Sequence, residues 1–345
     1  MLGDGAKEAE TVKIEDSHML INIARIHYLC FTNAIGHPGV VIMPKWFREW
    51  GPIVAPGVIW GCSYLFIAEG LTAMRPAGIT FVRTTIGFAV LSMIPGVRRP
   101  IDRQDRWRVP LLGLIWLALP MSMFPFAEQH VSSALTGLLN AATPLFVAGV
   151  AAMQSRSLPS RTVSIALGVG FSGATLIGAP SLRNGRSELW GVGLVVAALC
   201  FYGFAINLAR PLQQRNGALP VIWRAVGIAA LLTAPTGLPA VVDATWTMPS
   251  VLSMLALGAF GTGLANILVA NAAGNSTATR AAAMGFIIPA VSLLLGIAIR
   301  HEDVSPLSII GGGVCLSGAW LLAKSARNAS PATDRISDKR SASPG

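Results

Sequence analysis

The first stretch whose residue types and spacing could do chemistry is GVGFSG, with Gly168, Gly170 and Gly173 in the G-x-G-x-x-G pattern of a dinucleotide-binding turn. That turn needs a strand before it, a helix after it and an acid about 20 positions on to hold a ribose. Here RTVSIAL runs apolar straight into the glycines, and Glu188 is the only acid near the required distance. Seven other polar residues stand out. Arg83 and Glu69 sit in apolar runs on either side of one short turn, so an ion pair is expected between them. Arg224 lies a few residues into another apolar run. Asn140, Asn207, Asn266 and Asn271 are amides in apolar surroundings. An ionisable group inside hydrocarbon marks a functional site by default. Unsatisfied amides there are costly, so these four should face an interior.

Catalytic patterns do not assemble. Ser132 and Ser133 follow His130, but the only nearby acid is Glu128, in a connecting loop where water would keep it ordinary. There is no H-E-x-x-H and no pair of carboxylates within the apolar runs. Cys30, Cys62, Cys200 and Cys315 have no C-x-x-C spacing, so neither a zinc site nor a disulfide framework is expected. The reading assigns no catalytic residue, no metal and no cofactor.

The glycine motif recurs. An offset of 145 positions carries Gly168 onto Gly313 in GGGVCLSGAWLLA, and the same offset carries Pro144 onto Pro289. Arg83 has a counterpart in Arg224 at an offset of 141. A nucleotide fingerprint has no reason to repeat with its surroundings, whereas a membrane protein made of two related halves does.

Composition points the same way. Of 345 residues 53% are hydrophobic and 12% charged, and the mean hydropathy is +0.60. A soluble domain carries about 25% charged residues. The net charge of +10 does not imply nucleic acid, because the basic residues cluster between apolar spans.

Ten runs approach the roughly 20 residues that a spanning helix needs: 53–73, 77–95, 109–127, 131–152, 162–180, 189–209, 221–241, 250–271, 281–299 and 305–323. The expected fold is an all-α polytopic membrane protein of ten transmembrane helices in two five-helix repeats, 49–180 and 189–323. Residues 1–48 form an N-terminal extension outside the core, and 324–345 a disordered cytoplasmic tail. Seventeen Lys and Arg fall in one set of loops and four in the other, which puts both termini in the cytoplasm. Five helices per half then invert the second half relative to the first.

The order of several soft motifs resembles the EamA-like branch of the drug/metabolite transporter superfamily over roughly residues 53 to 323. These are WGCSYLF from Trp60, FVRTTIGFA around Arg83, SSALTGLLNAATPLF from Ser132, RAAAMGFIIPAVSLLLG from Arg280 and GGGVCLSGAWLL from Gly311. The resemblance implies export or exchange of small metabolites, amino acids or drugs across the bacterial inner membrane by alternating access. It also implies that the first four helices of each half line a central cavity, with the fifth and tenth at the periphery. That would leave GVGFSG away from solute, as a close-packing motif. The candidate solute contacts are Trp60, Tyr64, Arg83, Asn140, Tyr202, Asn207, Arg224, Asn266 and Asn271. Glu69 is the candidate for proton coupling, and Pro144 and Pro289 are helix-kinking positions. Expected partners are a small solute and the lipid bilayer, with a homodimer allowed and nucleic acid excluded. A polytopic membrane enzyme and a non-transporting scaffold are the competing classes.

Overall fold

The computed structural model describes residues 45–155, 159–272 and 278–329. Of the expected 1–48 extension, residues 45–48 open the first helix instead and the rest lies outside the described residues, as does the tail beyond 329. Among the described residues there are helices and turns and no strand. In chain order the helices are α1 (Lys45–Gly70), α2 (Pro76–Ser92), α3 (Arg108–Ala127), α4 (Ser133–Ser155), α5 (Arg161–Gly178), α6 (Arg186–Asn216), α7 (Ala218–Val242), α8 (Met248–Asn271), α9 (Ala278–Ala298) and α10 (Pro306–Ala329). Seven are long and apolar enough to cross a membrane. The apolar stretches of the other three, Val54–Gly70, Pro76–Ser92 and Gly285–Ala298, are shorter. The last helix continues to Ala329, so the first residues of the expected disordered tail are helical instead.

Local chemistry sets the helix limits. Pro76 opens α2 at a position that needs no amide hydrogen. Ser132 caps α4 by accepting from the Leu135 amide, and Thr247 with Ser250 forms a reciprocal box at the start of α8. Two helices loosen midway into π geometry, α3 over Gly113–Ala118 and α8 over Leu257–Leu264. In α4 the amide that Pro144 lacks would have met the Asn140 carbonyl, and a 3-10 turn spans Asn140–Ala142. The Thr143 hydroxyl takes that carbonyl at 2.8 Å.

Helices pack across the two halves. The main contacts pair α5 with α10, α2 with α7, α1 with α8, α1 with α9, α6 with α3, α6 with α4, α4 with α9, α2 with α8, and α7 with α3. The α5–α10 seam is closest. A Cβ on Gly173 would overlap the Cys315 backbone, and one on Gly318 would overlap the backbone of Gly170. The glycines of the opening motif therefore let two helices meet backbone to backbone.

Polar ties close each end of the bundle. At one end Asp105, with no exposed side-chain surface, accepts two bonds from Arg215 (2.7 and 3.0 Å) and one from Asn216 (2.8 Å). Arg108 adds a contact at 3.3 Å. These join the α2–α3 connection to the end of α6. The Arg215 bonds hold the Asp105 carboxyl below the usual carboxylate range, with Asn216 and Arg108 helping and burial opposing. A depressed folded-state value means the tie is at full strength above a pH of about 4 and is lost as pH falls through that lower value. Asp105→Asn should lower the thermal midpoint at pH 7, and the gap from wild type should shrink as the pH drops below about 4. A pH-independent gap would contradict this account.

Candidate functional site

The site assembles where α1, α2, α3, α6 and α8 meet. Tyr64 on α1 is 6% exposed and meets Phe124 of α3 edge-on at 5.7 Å; Phe124 in turn lies 5.9 Å from Tyr202 of α6. Arg83, 5% exposed, comes from α2 and lies within electrostatic reach of both tyrosines. Its Nε donates to Thr262 Oγ1 at 3.3 Å. Thr262 belongs to the π segment of α8, where its own hydroxyl reaches back five residues to Leu257. The same segment offers the Gly261 carbonyl to the Trp60 indole at 2.9 Å. The two terminal guanidinium nitrogens of Arg83 have no protein acceptor among the described residues. A permanently charged fork with open donors suits a carboxylate or another planar anion.

The expected pair of Glu69 with Arg83 does not form. Glu69 meets Arg300 at 3.7 Å, with both side chains about a third exposed. The two residues flank one turn, but α1 and α2 do not pack closely on each other; Arg83 is buried in the bundle and Glu69 is part-exposed beside Arg300. Arg300 also touches Glu302 at 3.4 Å. Glu302 caps α4, with Oε1 accepting from Ser133 N and Oγ at 3.1 and 2.8 Å and Oε2 from Ala134 N at 2.8 Å. At this same end Arg75 pairs with Asp243 at 3.3 Å, and His130 Nδ1 lies 2.8 Å from Ser187 Oγ.

A second correction concerns Glu128. Rather than facing water, both its carboxylate oxygens are buried, and neither has a hydrogen-bond partner among the described residues. It follows the last residue of α3 and lies one helical turn beyond Phe124. That i, i+4 spacing was visible in FPFAE and would have pointed Glu128 at the aromatic cluster.

The other candidates scatter. Arg224 donates to the carbonyls of Val97, Arg98, Arg99 and Pro220, at 2.8 to 3.4 Å, and lies over the Trp223 ring. All its hydrogen bonds go to backbone, so it fastens the α2–α3 connection. Asn207 ties α6 to the Val147 carbonyl of α4 at 2.9 Å. Asn266 bonds the Thr262 carbonyl one turn before it, and Asn140 accepts from Thr143 within its own kink. Asn271 is exposed and borders a shallow recess with Gly96 and Asn216. Pro289 lies buried inside α9. A larger recess of about 810 Å³ opens on the outer face between α2, α3 and α7, lined by Phe81, Phe88 and Trp223 with Arg98 and Arg106 at its edge. It is separate from the central cluster, and Leu231 on its wall is 75% exposed, as a lipid-facing residue would be.

Of the residues read from the sequence, the structure brings together Trp60, Tyr64, Arg83 and Tyr202. It adds Phe124, Thr262 and Glu128. No group of three or more His, Cys, Asp or Glu able to hold a metal occurs among the described residues.

Comparison with known proteins places this geometry. The model of the EamA-like transporter family matches twice, over residues 52–179 and 189–324. A probable terminal-alkyne amino-acid exporter of Streptantibioticus cattleyicolor is 25% identical, over 78% of this chain and 91% of its own. The inner membrane transporter YedA of Escherichia coli is 23% identical, over 79% and 89%. A transporter of Archaeoglobus fulgidus is 20% identical, over 80% and 99%. One crystal structure, 18% identical, superposes with a TM-score of 0.57 over 81% of this chain and 97% of its own, which shows a shared fold.

Proposed function

The chain belongs to the EamA-like transporter family, and on that premise we propose that it is a secondary transporter, an exporter or exchanger of small metabolites, amino acids or drugs. It works by alternating access around the cluster of Trp60, Tyr64, Arg83 and Tyr202. It is a multi-pass membrane protein related to transporters. The observation that carries the proposal is Arg83, a buried cation with open donors between helices of both halves. A charge kept there without a counter-ion is costly, and function is the usual reason.

In this reading all ten helices span the membrane as two inverted halves, which rock about the cluster. The family model matches each half separately. The π segments of α3 and α8 start 144 positions apart, close to the 145-residue spacing of the prolines and glycines. Shifting every helix by five maps the contact of α1 with α9 onto that of α6 with α4, and α2 with α8 onto α7 with α3. The 3-10 break before Pro144, the missing amide hydrogen at Pro289 and the loosened π turns supply the deformable points. Glu69, bridged to Arg300, serves in this reading as part of the contact set that closes one end.

The basic-residue bias supports cytoplasmic termini and a periplasmic Glu302 end, in a bacterial inner membrane. Reporter fusions after Arg103 and after Ala329 should both report the cytoplasm; a periplasmic signal at either contradicts the inverted arrangement. Transport itself is tested by exchange across proteoliposomes with a panel of amino acids, amphipathic cations and small acids. At least one class should exchange faster than in protein-free vesicles, and a flat panel contradicts the proposal.

A further inference from the structure

The recess on the outer face carries charge at one end and hydrocarbon at the other. Among the described residues Thr85, Arg98, Arg106 and Arg224 are the only polar ones that line it. Arg98 and Arg106 belong to the α2–α3 connection, and Arg224 is bonded to the carbonyls of that connection. The rest of the lining is apolar. On α2 Phe81 and Phe88 stand two turns apart on one face, and on α7 Gly227, Ala230 and Ala234 share a face with almost no side chain, which makes the wall concave. Ala234 lies ten residues beyond Arg224. That is about 15 Å along a helix, half of a hydrocarbon core about 30 Å thick. The recess therefore runs the depth of one leaflet from a basic rim. Trp223 stands near the rim, stacked on Phe88 at 5.4 Å and donating its indole N–H to Ser92 Oγ at 2.7 Å. An indole with an apolar face and a bonded N–H suits the headgroup level of a bilayer.

The rim is held in place yet left without counter-ions. Arg224 fastens the connection to α7, and Asp105 fastens it to α6 through Arg215 and Asn216. The Asp102 amide adds a bond to Asn216 Oδ1 at 2.8 Å. Arg108 and Arg215 are both engaged with Asp105. Arg98 and Arg106 are exposed at the recess and form no ion pair among the described residues. A ligand that satisfies this surface brings an anion to the rim and hydrocarbon to the wall. A solute from water would reach that wall only through lipid, because Leu231 on it is 75% exposed on the outer face. A phospholipid arrives there already oriented.

We infer that this recess is a binding site for one anionic glycerophospholipid, whose phosphodiester meets Arg98 and Arg106 and whose acyl chain lies along Phe81, Phe88 and Leu231. A basic pocket between spanning helices at the headgroup level selects anionic lipid. A zwitterionic lipid brings its own ammonium to the same rim, where two unpaired guanidinium groups repel it. The site joins α2 and α3 of the first half to α7 of the second, so bound lipid touches both halves at this end. It is independent of the solute that the central cluster takes.

The test uses the full chain, purified in detergent and stripped of lipid, with native mass spectrometry counting the lipids bound. The probes are phosphatidylglycerol and phosphatidylethanolamine with the same acyl chains, and inorganic phosphate. Wild type should bind a first phosphatidylglycerol more tightly than phosphatidylethanolamine, and its thermal midpoint should rise further with the former. Arg98→Gln combined with Arg106→Gln should weaken that first binding roughly thirtyfold, the scale of two basic contacts at a membrane surface. The same charge change at Arg161 and Arg210, which are exposed and do not line the recess, should leave it unchanged. Ala234→Phe puts a ring into the apolar end and should weaken binding with the rim intact. Equal affinity for the two lipids would overturn the inference, as would undiminished binding in the Arg98 and Arg106 variant. Equal losses in the two double variants would overturn it by showing an attraction of net charge alone. Inorganic phosphate that displaces the lipid would overturn it by showing that the hydrocarbon end contributes nothing. If the Arg98 and Arg106 variant fails to fold, the wild-type lipid comparison and Ala234→Phe decide the matter.

Discussion

Gly173→Leu should abolish the folded, monodisperse protein, while the same change at Gly168 should leave yield and thermal midpoint close to wild type. Both glycines belong to one G-x-G-x-x-G match, but they face different surroundings. A Cβ at Gly173 would overlap the Cys315 backbone, whereas one at Gly168 meets nothing within 4 Å. Overpacking costs about 1–3 kcal/mol where neighbours can shift, and more where the neighbour is main chain. Relief at Gly173 requires α5 and α10 to separate. Helices in lipid associate by close packing, with little hydrophobic force between them, so separation forfeits the seam. Against a total stability of about 5–15 kcal/mol that loss is decisive. Gly318→Leu should behave like Gly173→Leu, since its Cβ would overlap the Gly170 backbone, and Gly313→Leu like Gly168→Leu. A dinucleotide turn would require its first glycine as strictly as the others. Size-exclusion profiles and thermal melts of the four variants decide between the two accounts.

Arg83→Gln should show the opposite signature, with solute exchange lost and the fold retained. Arg83 has one hydrogen bond, to Thr262, and no ion pair among the described residues. Replacing a buried charge that lacks a counter-ion relieves desolvation, so the thermal midpoint should hold or rise. Exchange should fall by roughly a hundredfold, the loss expected when a bidentate anion contact disappears. An Arg83→Gln protein that melts far below wild type would assign the residue to structure. One that exchanges normally would remove Arg83 from the solute path.

Much of the bundle was legible in the sequence because lipid imposes a simple rule, that runs of about 20 apolar residues form helices. Close packing left a similar trace, since glycines and prolines recur at one spacing, Gly168 with Gly313 and Pro144 with Pro289. The side-chain partners were not legible to the same degree. Glu69 and Arg83 flank one turn, but packing of α9 on α1 delivers Arg300 to Glu69. Glu128 lies in a connection that reads as water-facing, and tertiary packing at the Glu302 end buries its oxygens. Only its spacing from Phe124 was a local signal. Arg224, which lies 141 positions after Arg83 in a similar apolar run, meets carbonyls instead of a cluster, and nothing in its local sequence announces that difference.

The most direct test of the carrier account is solute exchange in proteoliposomes at equal reconstituted amounts of wild type and Arg83→Gln. Vesicles loaded with unlabelled neutral amino acids should take up labelled solute in a transient overshoot with wild type, and show only leak with the variant and with protein-free vesicles. Wild-type uptake no faster than leak across amino acids, amphipathic cations and small acids would contradict the account.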